Sequence, residues 1–121
     1  MQLAAGDRAV SRPVILLDLN GTLVENTREA HRLPHTYNVA AERYRLWMIP
    51  WLRLHTVALL TVRPERLRAE TLTRILDLCG WQPDLACFNP WRLAAPECKA
   101  RQLAEVVFPR FGPPDPGRYL A

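Results

Sequence analysis

Three side chains of complementary chemistry stand where regular elements meet loops. Asp18 follows the apolar run Val14-Ile15-Leu16-Leu17, Thr61 closes the run Thr56-Val57-Ala58-Leu59-Leu60, and Lys99 falls three residues after Pro96. A carboxylate in this position can serve as nucleophile or as magnesium ligand. A hydroxyl and an ammonium can neutralise and orient phosphoryl oxygens. Arg63 adds a guanidinium two residues beyond Thr61. Asn20, Gly21 and Thr22 follow Asp18, and Gly21 permits a tight turn. The turn is expected to leave backbone N–H groups facing an anion. Singly, each residue has an ordinary alternative. Asp can cap a turn, Thr can end a strand, and Lys is usually solvated. Their order along the chain is what points to a phosphoryl group.

The elements that must position them can be read from apolar patterning. A short continuous apolar run ending in polar residues is the signature of a buried parallel strand. Residues 14–18 and 56–61 fit it, and 85–88 makes a third, shorter example. In open α/β sheets ligands bind beyond the carboxyl ends of such strands. Residues 27–33 are expected to form one or two helical turns stopped by Pro34. A helix is predicted from Asn38 as N-cap, with Ala40, Tyr44, Trp47, Trp51 and Leu54 on one face. Trp47 and Trp51 are read as core residues, and Pro50 predicts a kink or break. Pro64 suits the first position of the next helix. Its inner side carries Leu67, Thr71, Leu72, Ile75, Leu76 and Cys79, and Gly80 is its C-cap. The last helix starts at Pro96, buries Ala100, Leu103, Ala104 and Val107, and ends at Pro109. Residues 112–117 form a proline-rich loop, and 118–121 begin a fourth strand. Strands alternating with helices predict an α/β fold with a parallel sheet.

Composition narrows the function classes. The chain has 121 residues, 49% of them hydrophobic, enough for one domain with a modest core. No apolar run approaches the ~18 residues of a membrane helix. Residues 1–12 lack the apolar stretch of a signal peptide and are read as a flexible leader to a domain over 13–121, which predicts a cytoplasmic protein. Cys79, Cys87 and Cys98 are an odd set without a C-x-x-C, against both a disulfide framework and a structural zinc site. The formal charge of +4 suits an acidic or phosphorylated partner. An unfinished fourth strand would leave an open edge suited to homodimer pairing.

The segment D-L-N-G-T-L at positions 18–23 resembles the first motif of the haloacid dehalogenase-like hydrolases, D-x-D-G-T-L/V. The family's second motif is a Thr or Ser ending the next core strand, often followed by Gly-Arg; L-L-T-V-R-P matches through Thr61 and Arg63, with Val62 in the Gly position. The third motif is a Lys near the start of a later helix, matched by Lys99 in P-E-C-K-A-R-Q-L. The fourth is an acidic pair after a further strand; R-Y-L-A at 118–121 resembles that strand, and the sequence ends before an acid.

The resemblance implies a Rossmann-like three-layer αβα sandwich with a mostly parallel sheet and magnesium-dependent hydrolysis of phosphomonoesters. Asp18 would form an aspartyl-phosphate. The backbone carbonyl of Asn20 would join Asp18 in holding Mg2+, Thr61 would bind the phosphoryl group, and Lys99 would stabilise Asp18. Gly21, Thr22 and Arg63 would contact substrate. Asn20 replaces the Asp that shuttles the proton in the phosphatases, a loss typically worth about a hundred- to ten-thousand-fold. The insertion at about 24–55 is a short cap, which suits large substrates. Together with Arg66, Arg68 and Arg74, the segment 60–76 resembles the 3′-phosphatase domains of polynucleotide kinases. The expected substrate is a phosphorylated small molecule or a nucleic-acid end. The alternative is a catalytically silent domain that binds a phosphorylated ligand or a protein partner. A generic dinucleotide-binding module would need a G-x-G-x-x-G loop after the first strand, and there is none.

Overall fold

The structure, a computed structural model, describes residues 12–25 and 39–121. The helical turns expected at 27–33, the Asn38 cap and nearly all of the leader lie outside them. Among the described residues, four strands build one sheet: β1 (Val14–Asp18), β2 (Thr56–Pro64), β3 (Leu85–Asn89) and β4 (Tyr119–Leu120). Their spatial order is β3-β2-β1-β4 and every pairing is parallel. The chain first steps outward from β1 through β2 to β3, then returns to the other side of β1. The reversal lies between β1 and β4, and a crevice opens at such a point beyond the strand ends. Asp18 ends β1 beside it.

Alternation along the strands sorts the core into two layers. Ile15, Leu17, Val57 and Leu59 pack with Leu19, Leu23, Tyr44, Ile49, Leu52, Ile75 and Cys79. Val14, Ala58, Leu60 and Cys87 pack with Val107, flanked by Leu16, Leu103, Phe108, Phe111 and Tyr119. The sheet is thus covered on both faces, as an α/β sandwich requires. No helix among the described residues is long and apolar enough to cross a membrane.

The 39–54 region is interrupted more often than the one kink or break expected at Pro50. It is broken into 3-10 turns at Val39–Ala41 and Leu46–Met48 and a four-residue helix, α1 (Ile49–Leu52). Between the turns, Tyr44 forms an antiparallel bridge with Val24. Pro50 lies in the first turn of α1, where its missing N–H breaks no bond. Because the segment bends, the inward positions are Tyr44, Ile49 and Leu52, whereas Trp47 is 74% exposed, and Trp51 and Leu54 also face solvent. The two tryptophans are therefore not core residues.

Strand β2 also runs longer than expected. Thr61 and Arg63 are buried, Val62 and Pro64 half-buried, so the period-2 alternation continues through Pro64. Pro64 is extended (φ −56°, ψ 147°) and does not open a helix; a 3-10 turn at Glu65–Leu67 leads into α2 (Arg68–Cys79). Thr71, Ile75 and Cys79 face inward as expected, while Leu76 is exposed. Gly80 ends α2 in the left-handed conformation (φ 61°), its N–H donating to the Leu76 carbonyl.

The last helix differs in both its buried face and its end. In α3 (Ala95–Gln102) the buried residues are Cys98 and Gln102, and Ala100 and Ala104 face solvent. Gln102 is inside because β2 and β3 slip register between Leu60 and Pro64. Its Nε2 donates to the carbonyls of Thr61 and Phe88, both at 2.9 Å. Buried carbonyls without partners would cost free energy, so here a polar side chain belongs in the core. The helix then widens into a π segment at Leu103–Val107 and continues through Pro109 in α4 (Phe108–Phe111). A π turn displaces the carbonyl that would otherwise meet the proline ring. Gly112 stops the helix, at φ 110°.

Candidate functional site

Asp18 and Lys99 are brought together. The Lys99 Nζ donates to Asp18 Oδ1 at 2.8 Å, across 81 residues of sequence. β1 delivers the carboxylate to the carboxyl edge of the sheet. On β1, Val14, Leu16 and Asp18 share one face, the one covered by α3 and α4. Lys99, one turn into α3, reaches Asp18 from above. The Asp18 side chain stays 44% exposed and that of Lys99 33%. An ion pair that wet contributes at most about 1 kcal/mol to stability. The pair has little weight in holding the fold, and it leaves the Asp18 carboxylate accessible.

Thr61 lies elsewhere. Asp18 is registered with Leu60, so alternation sends Thr61 to the opposite face. Its side chain is 1% exposed, and its Oγ1 accepts from the Arg63 N–H at 3.2 Å. Arg63 is fully buried. Its Nε donates to Asn20 Oδ1 and its Nη1 to Thr71 Oγ1, both at 3.1 Å. Its Nη2 is paired with Glu42 Oε2. Expected as a substrate contact, Arg63 instead ties β2, α2, residue 42 and the turn after β1 into one unit.

That turn satisfies itself. The N–H of Gly21 donates to Val24 O at 2.8 Å, while those of Thr22 and Val24 donate to Leu19 O at 3.3 and 2.8 Å. Gly21, at φ 84°, permits the geometry. The N–H groups of Gly21 and Thr22 are therefore spent within the turn, and the anion nest expected there is not open at these two donors. The Asn20–Val24 bridge uses groups of the flanking residues, not the carbonyl of Asn20.

As a magnesium site the position offers the Asp18 carboxylate and that carbonyl. Among the described residues no cluster of three or more His, Cys, Asp or Glu could hold a metal. Magnesium keeps several waters and is commonly bound through one or two carboxylates plus substrate phosphate oxygens. The donors present fit a largely hydrated ion of that kind and do not form a protein cage.

The cysteines offer no competing nucleophile. All three are free and buried. Burial pushes the Cys87 thiol up to about 11 and raises those of Cys79 and Cys98 as well. Thiols held protonated are poor nucleophiles.

A cleft of about 800 Å³ opens over the ends of β2 and β3, lined by Val62, Pro64, Arg66, Asn89, Arg92 and Leu93 among others. Asn89 shapes it. Its Nδ2 donates to the carbonyls of Val62 (3.3 Å) and Leu93 (2.9 Å), and its Oδ1 accepts from the Leu93 N–H. Nothing in the sequence around the third strand marked Arg92 as lining a cleft.

Set against known protein families, curated proteins and solved structures, the chain finds no match in any of the three.

Proposed function

We propose that the chain is a haloacid dehalogenase-like phosphohydrolase core that cleaves phosphomonoesters through Asp18, with slow turnover because Asn20 replaces a proton shuttle. The contact between Lys99 and Asp18 at the carboxyl edge of a parallel sheet carries this reading. With Oδ1 held by Lys99, the second oxygen of Asp18 attacks phosphorus. The ester P–O bond breaks, and the leaving oxygen departs with the electron pair. It takes its proton from water, since the Asn20 amide has none to exchange at neutral pH. Water then cleaves the aspartyl-phosphate, releasing phosphate and restoring the carboxylate. Lys99 orients Asp18 and offsets charge on the phosphoryl oxygens. Magnesium, when bound by Asp18 and the Asn20 carbonyl, supplies further neutralisation of those oxygens. A phosphorylated small molecule or a nucleic-acid end is the expected substrate class. Buried free thiols are in keeping with a reducing, cytoplasmic setting.

One observation favours a second reading, a catalytically silent domain that binds a phosphorylated ligand. Asn20 Oδ1 is engaged by buried Arg63, so position 20 serves the scaffold. The two readings separate in one assay, magnesium-dependent phosphate release from an activated aryl phosphate. The hydrolase reading expects release by the native chain and a loss of about a hundredfold or more in Asp18→Asn. Equal rates for the two proteins would remove Asp18 as nucleophile.

A further inference from the structure

The cleft over β2 and β3 shares its side of the sheet with Asp18. Leu60, registered with Asp18, lies on the α3 face, and alternation places Val62 and Pro64 on the same face. Val62 is two residues further along the neighbouring strand, roughly 8 Å from Asp18 by strand rise and spacing. Ala95 at the cleft and Lys99 at Asp18 are one turn apart on α3, about 6 Å. The cleft thus begins roughly 6–8 Å from the Asp18–Lys99 pair, on the same face of the sheet.

Its lining has two chemistries. Val62, Pro64, Pro90 and Leu93 give apolar walls, and Arg66 and Arg92 bring guanidinium groups. The Glu65 carboxylate, also at the cleft, is already bound by Arg68 through Nε and Nη2. Neither Arg66 nor Arg92 has an ion pair among the described residues, so the cleft carries two positive charges that no described residue neutralises. The loop that presents Arg92 is fixed at both ends: Asn89 clamps Leu93, and the Trp91 ring stacks under the Arg101 guanidinium at 4.8 Å. A loop held at its neighbours presents the Arg92 backbone in one place before a ligand arrives, which lowers the entropy cost of binding. Apolar walls with a few placed cations, in a volume within the range of small-molecule sites, suit an organic anion.

We infer that the natural substrate carries a second anionic group on its leaving portion, held by Arg66 and Arg92 while the scissile phosphate meets Asp18 and Lys99. The inference rests on the phosphohydrolase reading for the second half of that statement. Without a proton donor at position 20, binding energy from a remote anion is also what would help position a slow substrate.

The test uses the full chain and two probes, adenosine 3′,5′-bisphosphate and adenosine 5′-monophosphate, titrated by calorimetry. The native chain is expected to bind the bisphosphate at least about tenfold tighter, as charge-assisted hydrogen bonds allow. In the double variant Arg66→Ala/Arg92→Ala the preference is expected to fall to about one, with far-ultraviolet circular dichroism confirming the fold. Asp18→Asn should keep the preference. No preference in the native chain, a preference that survives in the double variant, or no binding of either nucleotide would each overturn the subsite. If phosphate release is absent but the preference and its loss are seen, the hydrolase reading fails and the subsite stands. Turnover without the preference gives the reverse.

Discussion

Removing Glu42 should unfold this protein more readily than its position in an irregular segment suggests. The Glu42 carboxylate is only 13% exposed and pairs with the guanidinium of Arg63, which is fully buried. Glu42→Ala leaves that cation inside with its hydrogen bonds to Asn20 and Thr71 and without this carboxylate. Breaking a buried pair from one side typically costs about 3–5 kcal/mol. The residual exposure of Glu42 argues for the lower end, about 3 kcal/mol. For a domain of this length, with about 2.1 cal/mol/K of unfolding entropy per residue, each kcal/mol moves the midpoint by about 4 °C. The expected loss is therefore about 12 °C. Glu65→Ala is the control, since its pair with Arg68 is solvated, at 44% and 39% exposure, and should cost under about 1 kcal/mol. Thermal and urea melts of both variants read the comparison. Equal losses would refute the argument, because the 39–42 segment would then contribute nothing through Arg63.

Tyr44→Phe should be neutral or stabilising by about 1 kcal/mol, because the Tyr44 hydroxyl is buried with no hydrogen-bond partner among the described residues; urea melts at neutral pH measure it. The same variant should flatten alkaline unfolding. Burial, aided by the nearby Glu42 carboxylate, pushes the Tyr44 phenol up to about 12 from 10.0. Below pH 10 both states hold the proton; between 10 and 12 only the folded state does, so stability falls as pH rises. Over that window the native chain should lose about 2 kcal/mol more than Tyr44→Phe, with no difference between their slopes as the failing result. On the phosphohydrolase proposal, Asn20→Asp should raise turnover of alkyl phosphates more than of activated aryl phosphates, because only poor leaving groups need a proton donor; an unchanged alkyl-to-aryl rate ratio would count against a limiting role for position 20. Leu52→Ala should cost about 2–5 kcal/mol and Trp47→Ala under about 0.5 kcal/mol, by chemical denaturation, since Leu52 is fully buried and Trp47 is exposed.

Where local chemistry decides the outcome, the sequence was enough. The apolar run into Asp18 made β1, and Val57–Leu60 made a strand because both its faces are covered. Gly80 had to end α2, since it alone there takes a positive φ without strain. The strand–helix alternation predicted a parallel sandwich, and the sheet is parallel throughout. Local sequence misleads where a residue answers to a distant partner. The spacing of Tyr44, Trp47 and Trp51 matched a helix, but Tyr44 is held by its bridge to Val24, and the tryptophans turn outward. Gln102 was not among the buried positions expected of the last helix, and its inward place is set by two carbonyls on β2 and β3. Pro109 is a helix breaker by its own chemistry and is tolerated because a π turn precedes it.

The same division runs through the site. The sequence determined which groups lie at strand ends and helix starts, because backbone propensity and apolar periodicity are local properties. Only the tertiary structure decided which of them meet. It set Lys99 on Asp18, since α3 crosses the face on which β1 presents that carboxylate. It turned Thr61 and Arg63 to the other face, since strand register fixes side-chain direction with a period of two and no single strand reveals its register. It also gathered Arg66 and Arg92 around one cleft from segments that share no motif. Convergence of this kind depends on how strands order and pair, a property of the whole chain's packing that no local window contains.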